Sequence, residues 1–231
     1  MERLVELEKK LKYTFKDSDR LLQALSHSSY AYESLIDHWG NERLEFLGDS
    51  VLDMVIGEIL YRSLPHSPEG KLTKVRALIV CEPSLRDVAD SLNLGDYLLL
   101  GKGEELTGGK SRTSNLANAL EALIAAVYLD SSYKEVYSFI ERLFKKTIAG
   151  ALDGSLIYDY KSRLLEWSQS FSPIKQVDFI LEKESGPDHS KTFYVNALVG
   201  TKVLGKGLGN SKKEAEQDAS KKALINLDLI D

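Results

Sequence analysis

Apolar residues recur at helical spacing through the first two thirds of the chain. Leu4, Leu7 and Leu11 mark an amphipathic helix over residues 2–12. Asp17 and Ser18 are candidate caps for a second, carrying Leu21, Leu22 and Leu25, which the polar run 26–30 ends. A third spans about 41–62. Leu44, Leu47, Val51 and Val55 give it one stripe, and beyond Val51 it is apolar almost all round, as suits a central helix. Pro65 and Pro68 break it. Glu69-Gly70-Lys71-Leu72 opens a fourth helix, interrupted by a turn at Glu82-Pro83, and another follows with Leu85, Val88, Ala89 and Leu92 inward. Residues 95–109 hold five glycines and read as loop. The next helix, 114–129, sets Leu116, Leu120, Leu123, Ile124 and Val127 on one stripe. Its Ala119, Ala122, Ala125 and Ala126 are small enough for a neighbouring backbone to come close, and the helix of 41–62 is the neighbour chosen. A last helix, about 133–148, precedes a short linker between Gly150 and Gly154.

From Tyr158 the texture changes. A helix over 158–169 precedes three strands, 175–184, 191–199 and 202–207, with turns at Gly186-Pro187 and Gly200-Thr201. A closing helix, 211–227, is faced by Ala215, Ala219, Ala223 and Leu227. The expected organisation is two domains: an all-α N-terminal domain over 1–149, a linker over 150–157, and a small α+β module of order α-β-β-β-α over 158–231.

Composition narrows the setting. An apolar content of 43% supports ordinary globular cores, and a charged content of 28% with no bilayer-length apolar run argues against a membrane protein. The first residues alternate charge too early for a signal peptide. Cys81 is the only cysteine, which excludes an internal disulfide and a cysteine-based zinc site; a reducing cytoplasm is the expected location. The net charge of −5 falls entirely before Tyr158, since the remainder balances 11 basic against 11 acidic residues. Any polyanion must therefore meet local basic clusters rather than a bulk field.

The candidate chemistry lies in Asn41-Glu42-Arg43-Leu44-Glu45-Phe46-Leu47-Gly48-Asp49-Ser50. Glu42, Glu45 and Asp49 fall at i, i+3 and i+7, on one face and roughly opposite the apolar stripe. Like charges so placed repel by a few tenths of a kcal/mol per pair, a cost that makes sense if a divalent cation or a partner's cation sits among them. A solvated acidic face is the plainer reading. Asn118 and Glu121, at i and i+3, lie nearly opposite the stripe of their own helix. Gly101-Lys102-Gly103-Glu104 lacks the Gly-Lys-Ser/Thr ending and the preceding strand of a phosphate loop, so that reading is rejected. Lys110 and Arg112 suit a phosphate backbone or a solvated loop equally. His27 has no Cys or Asp at metal spacing and reads as structural.

Residues 41–50 resemble the signature of bacterial ribonuclease III, and Asn118-Ala119-Leu120-Glu121-Ala122-Leu123 resembles that family's second acidic motif. The C-terminal part is similar to a double-stranded RNA-binding domain through Gly186-Pro187-Asp188-His189, Gly205-Lys206-Gly207 and the run from Ser211 to Gln217. The resemblance implies an endonuclease that hydrolyses double-stranded RNA with Mg²⁺, Mn²⁺ being a substitute, in processing rRNA precursors and other structured RNAs. It implies Glu45, Asp49, Asn118 and Glu121 as metal ligands and Asp49, Glu121, Glu42 and Glu69 as catalytic positions, the last two completing the site across a homodimer. It further implies Phe46 as the residue that plugs a pocket on the partner, and 5′-phosphate products with short 3′ overhangs. Ser162, Glu166, Pro187, His189, Lys206, Ser211, Lys212 and Lys213 would contact RNA. The family usually has Asp at the position of Asn118, which leaves a cleavage-impaired double-stranded RNA-binding protein as the alternative; it often has Gln at the position of Leu165.

Overall fold

The computed structural model describes residues 2–35, 40–187 and 190–230. The helices of the first part are α1 (Glu2–Leu11), α2 (Ser18–Ala24), α3 (Ser28–Glu33), α4 (Glu42–Ser63), α5 (Glu69–Val80), α6 (Glu82–Ser91), α7 (Lys102–Leu106), α8 (Thr113–Asp130), α9 (Tyr133–Leu143) and α10 (Lys145–Asp153). Single 3₁₀ turns occupy Leu94–Tyr97 and Gly109–Ser111. The second part holds α11 (Tyr160–Gln169), β1 (Val177–Ser185), β2 (Thr192–Val199), β3 (Lys202–Gly209) and α12 (Lys212–Asn226). The chain divides into two units, Met1–Leu156 and Ile157–Asp231, each with its own apolar cluster. The all-α and α-β-β-β-α readings both hold.

α8 is the axis of the first unit. Leu116, Ala119, Leu120, Ala122, Leu123, Ile124, Ala125, Ala126 and Val127 are buried, leaving Asn118 and Glu121 as a half-buried polar gap. Its broadest packing partner in this unit is α4. The approach is so close that a Cβ on Gly48 would lie 1.8 Å from the Glu121 carbonyl oxygen. At the far end of α8, buried Asp130 accepts from Tyr13 Oη at 2.7 Å and from the backbone N–H groups of Lys16 and Asp17 at 3.0 and 3.1 Å. Those donors hold the entry to α2 against α8 and offset the cost of an acid at a helix C-terminus.

Four expectations change, the first being that the stretch 95–109, read as loop, carries α7 at Lys102–Leu106 and parts of both 3₁₀ turns. The polar run after α2 is not simply a terminator: 28–33 form α3, capped by His27, whose Nδ1 accepts from Ser29 N–H. The helix expected over 133–148 is two helices that meet at Phe144, because that fully buried ring turns into the core between them. The glycine at 150 does not begin a loop. α10 runs on to Asp153 with Ile148 and Ala151 buried, ends at Gly154 in the left-handed conformation (φ +81°), and the division between units falls after Leu156.

In the second unit the strands form an antiparallel sheet of order β1-β2-β3, and α12 lies on it. Gly205 and Gly207 face that helix: a Cβ on Gly207 would come 2.1 Å from Ala219 N and 2.2 Å from Ala215 O. Ala215, Ala219 and Ala223 are fully buried beneath it. Small residues on both sides let backbone meet backbone.

Candidate functional site

The start of α4 is fixed before its acids are presented. Asn41 is buried; its N–H donates to Ser26 O at 2.8 Å and its Nδ2 to Ala24 O at 3.3 Å. One helical face then carries Glu42, Glu45 and Asp49, and the contact at Gly48 brings α8 against it. Glu42, Glu45, Asp49, Asn118 and Glu121 line one cavity of about 630 Å³, together with His27, Ser28, Asn41 and Phe46. Among the described residues no Lys or Arg lines it.

The charges feel one another. Burial pushes the Glu121 carboxyl up, and Asp49, Glu45 and Asp53 push it further, to about 8. Glu45 is also raised, by burial first, then by Glu42 and Asp49, with the Asn118 amide pulling the other way as a hydrogen-bond donor. An oxygen-only donor set with mutually raised carboxyls matches what a hard divalent cation takes. Among the described residues no three His, Cys, Asp or Glu side chains converge to metal-holding spacing; they surround the cavity instead. The donor chemistry fits a hard divalent cation such as Mg²⁺.

Two other expected residues lie differently. Phe46 is 78% exposed and borders both this cavity and a second hollow of about 690 Å³ lined by Gln23, Glu42, Arg43, Leu44, Leu47 and Leu129. Glu69 stands apart. It opens α5, is exposed, accepts from Thr73 Oγ1 at 2.8 Å, and is not among the cavity's lining residues.

In the second unit, Ser211 caps α12 by accepting from Glu214 N–H at 3.2 Å, and Lys212 and Lys213 stand exposed in its first turn. Lys212 Nζ lies 3.9 Å from Glu184 at the end of β1, so this positive end is next to the β1–β2 turn where Pro187 is exposed. Ser162 and Glu166 are exposed on α11, although the Ser162 hydroxyl donates to Asp159 at 2.6 Å. Lys206 is not part of this group. Gly205 and Gly207 face α12, so strand alternation turns Lys206 to the opposite side of the sheet, where it pairs in register with Asn196. His189 lies outside the described residues.

Comparison with known proteins decides the family. The family described as "Ribonuclease-III-like" matches residues 17–148, and the "Double-stranded RNA binding motif" matches 160–227. The chain belongs to the ribonuclease III family. Ribonuclease 3 of Caldanaerobacter subterraneus subsp. tengcongensis is 50% identical over 98% of this chain and 99% of the relative. Ribonuclease 3 of Clostridium tetani is 47% identical over 98% of this chain and 95% of the relative. A crystal structure of the ribonuclease III nuclease domain from Campylobacter jejuni is 43% identical, covers 64% of this chain and 97% of that one, and superposes with a TM-score of 0.59. As a ribonuclease III family member the chain is an endoribonuclease acting on double-stranded RNA. His27 and Ser28 are the lining residues that periodicity missed, since the run 26–30 carries no apolar repeat from which a helix or a site reads.

Proposed function

We propose that the chain is a Mg²⁺-dependent homodimeric endonuclease that processes rRNA precursors and other structured RNAs in the cytoplasm. Its products would carry 5′-phosphate and 3′-hydroxyl ends with short 3′ overhangs. The observation that supports it is the cavity into which two helices bring Glu42, Glu45, Asp49 and Glu121, with Glu121 pushed up to about 8 by burial and then by its acidic neighbours. Glu45, Asp49 and Glu121 would hold the cation, and the Asn118 oxygen would take the fourth position. Mg²⁺ in that place supplies an activated water and neutralises charge on the phosphate; Mn²⁺ is the expected substitute. Without a cation Glu121 keeps a proton near neutral pH; as a ligand it would be ionised. Glu42 stays at the cavity wall, and Glu69, remote in its own chain, acts at the site of a second copy. Phe46 and the hollow beside it suit a self-complementary two-fold contact. A C. jejuni ribonuclease III nuclease-domain structure, 44% identical, is itself described as having a region involved in dimer formation.

RNA would lie along the exposed residues of α11 and the first turn of α12. A-form duplex is read through 2′-hydroxyls and phosphates, so Ser162, Glu166 and Pro187 suit a shallow groove, and Lys212 and Lys213 suit phosphates at a helix N-terminus. The test is cleavage of a labelled RNA duplex with Mg²⁺, beside a metal-free control and Asn118→Asp. Metal-dependent shortening of the duplex by the unmodified chain is expected, with Asn118→Asp reaching half-maximal rate at lower Mg²⁺. A second reading, a cleavage-impaired double-stranded RNA-binding protein, rests on the uncharged amide of Asn118. It gains if the duplex is bound intact and Asn118→Asp alone cuts it.

A further inference from the structure

Besides Asn41 at the start of α4, two residues that line the acidic cavity come from neither α4 nor α8: His27 and Ser28, where α2 gives way to α3. The nuclease reading above does not use His27, yet its ring is closely held. Ser29 N–H donates to Nδ1 at 3.2 Å, and Ser29 Oγ lies 2.8 Å from the same nitrogen. That hydroxyl oxygen already accepts from Gly101 N–H at 2.9 Å, which leaves its own proton for Nδ1. A ring nitrogen that accepts a backbone N–H carries no proton, so the neutral imidazole holds its proton on Nε2. The backbone is pinned as well: His27 N–H donates to Leu99 O at 3.0 Å, and the His27 carbonyl accepts from Tyr30 and Ala31 at 2.9 and 3.2 Å. Glu104, the carboxylate outside the cavity whose charge His27 influences, has its Oε1 taken by Arg112 at 2.6 Å and Asn115 at 2.7 Å.

We propose that His27 is a phosphate-binding residue of the cleavage site, donating Nε2–H to a non-bridging oxygen of the RNA phosphodiester beside the carboxylates. This rests on the nuclease reading. A phosphodiester entering the cavity meets the acidic side chains of Glu42, Glu45, Asp49 and Glu121 and, among the described residues, no Lys or Arg. The Asn41 amide is drawn back toward Ala24 O, and the Asn118 amide donates to Glu45. A cationic side chain in the place of His27 would pair with the same carboxylates that a divalent cation needs. A neutral N–H avoids that competition and still fixes the direction from which the phosphate is held. Because Leu99 holds the His27 backbone and Gly101 holds the Ser29 hydroxyl that meets its ring, that donor is oriented before substrate arrives.

Two substitutions separate this role from the capping role. In His27→Asn the short amide keeps a side-chain acceptor for Ser29 N–H, as a favoured N-cap residue, but does not reach the former place of Nε2. In His27→Gln the longer amide puts a donor near that place and gives up the cap. The full-length parent and both variants are compared by single-turnover cleavage of a labelled duplex with Mg²⁺, by duplex dissociation constant and by Tm. Expected for His27→Asn is a parental Tm, a Kd raised no more than a few-fold, and a cleavage rate lowered at least about tenfold, the loss of one hydrogen bond to a charged oxygen at the cleavage site. His27→Gln is expected to melt lower yet cleave faster than His27→Asn. Rates that follow Tm, or a His27→Asn variant that cuts like the parent, overturn the proposal. A parent that leaves the duplex intact removes the nuclease reading and this inference with it, and that outcome is visible before either variant is assayed.

Discussion

Both units are closed by the same device, backbone packed on backbone through glycine, but they use it to different ends. At the joint of α4 and α8, Gly48 touches the Glu121 carbonyl, and the residues on either side of the contact are the acids themselves: Asp49 is the next residue along, and Glu121 is the contact point. Packing and chemistry therefore share residues, backbone for the one and side chain for the other. At the joint of β3 and α12, Gly205 and Gly207 face the helix, and the residue between them, Lys206, is turned to the other side of the sheet. The basic residues suited to RNA sit instead on the first turn of α12, outside the joint. A helix–helix contact with a 3.6-residue period places functional and packing residues side by side, whereas a strand's two-residue period divides them between faces.

The largest effects should come from filling the two joints. A methyl at Gly48 or Gly207 has no space without moving a backbone, so each alanine is expected to cost about 3 kcal/mol or more. Gly48→Ala should unfold the first unit and abolish cleavage while the second unit still melts cooperatively. Gly207→Ala should do the reverse, losing the second unit and duplex binding while the first unit keeps its helical melting transition. Calorimetry with far-ultraviolet dichroism of each variant distinguishes the two; a single shared transition lost in both would break the comparison.

Glu121→Gln tests what placing a carboxyl beside the first joint costs the fold. The Glu121 carboxyl titrates at about 8 when folded, against an ordinary 4.5. As pH rises past the lower value the unfolded chain releases this proton while the folded chain retains it, so folding is penalised progressively until about 8 and by a constant amount beyond. In metal-free buffer the parent should therefore lose stability across that window, by about 1–2 kcal/mol once solvent screening of a half-buried group is allowed for. The glutamine variant should show a flatter pH profile, a higher Tm at pH 8, and cleavage lowered roughly a hundredfold or more through loss of a metal ligand. Urea melts at a series of pH values decide it: equal pH slopes for parent and variant would contradict the burial account.

The legible parts of the molecule were those with a period. Spacing alone put Glu42, Glu45 and Asp49 on one face of α4, set Asn118 and Glu121 against the apolar stripe of α8, and gave the element order of the second unit. What spacing could not give depends on contacts distant in sequence. α3 is six residues of Ser, Tyr, Ala and Glu with no apolar repeat; it exists because His27 caps it and Leu99 and Gly101 anchor the run. His27 therefore reads as an isolated polar residue until the fold brings it to the cavity. Gly150 looked like a break, but burial of Ile148 and Ala151 carries α10 through it. Lys206 looked like one more basic contact, and only the side of the sheet taken by its flanking glycines separates it from Lys212 and Lys213.

That separation yields the smallest predicted effects and the finest test of the comparison. If strand alternation divides packing from binding in the second unit, the lysines on its surface are not equivalent. Lys212 and Lys213 occupy the first turn of α12, where the helix dipole already favours an anion, so each should neutralise a phosphate and release a counterion. Lys212→Ala or Lys213→Ala should weaken duplex binding a few-fold at low salt and reduce the slope of log Kd against log salt by about one, leaving Tm unchanged. Lys206→Ala, on the opposite side of the sheet from α12, should leave both affinity and slope as in the parent. A salt titration by fluorescence anisotropy resolves a change of one in slope. Equal slopes lost at all three positions would mean that RNA reaches the sheet face as well, and that the two-residue period does not keep binding and packing apart here.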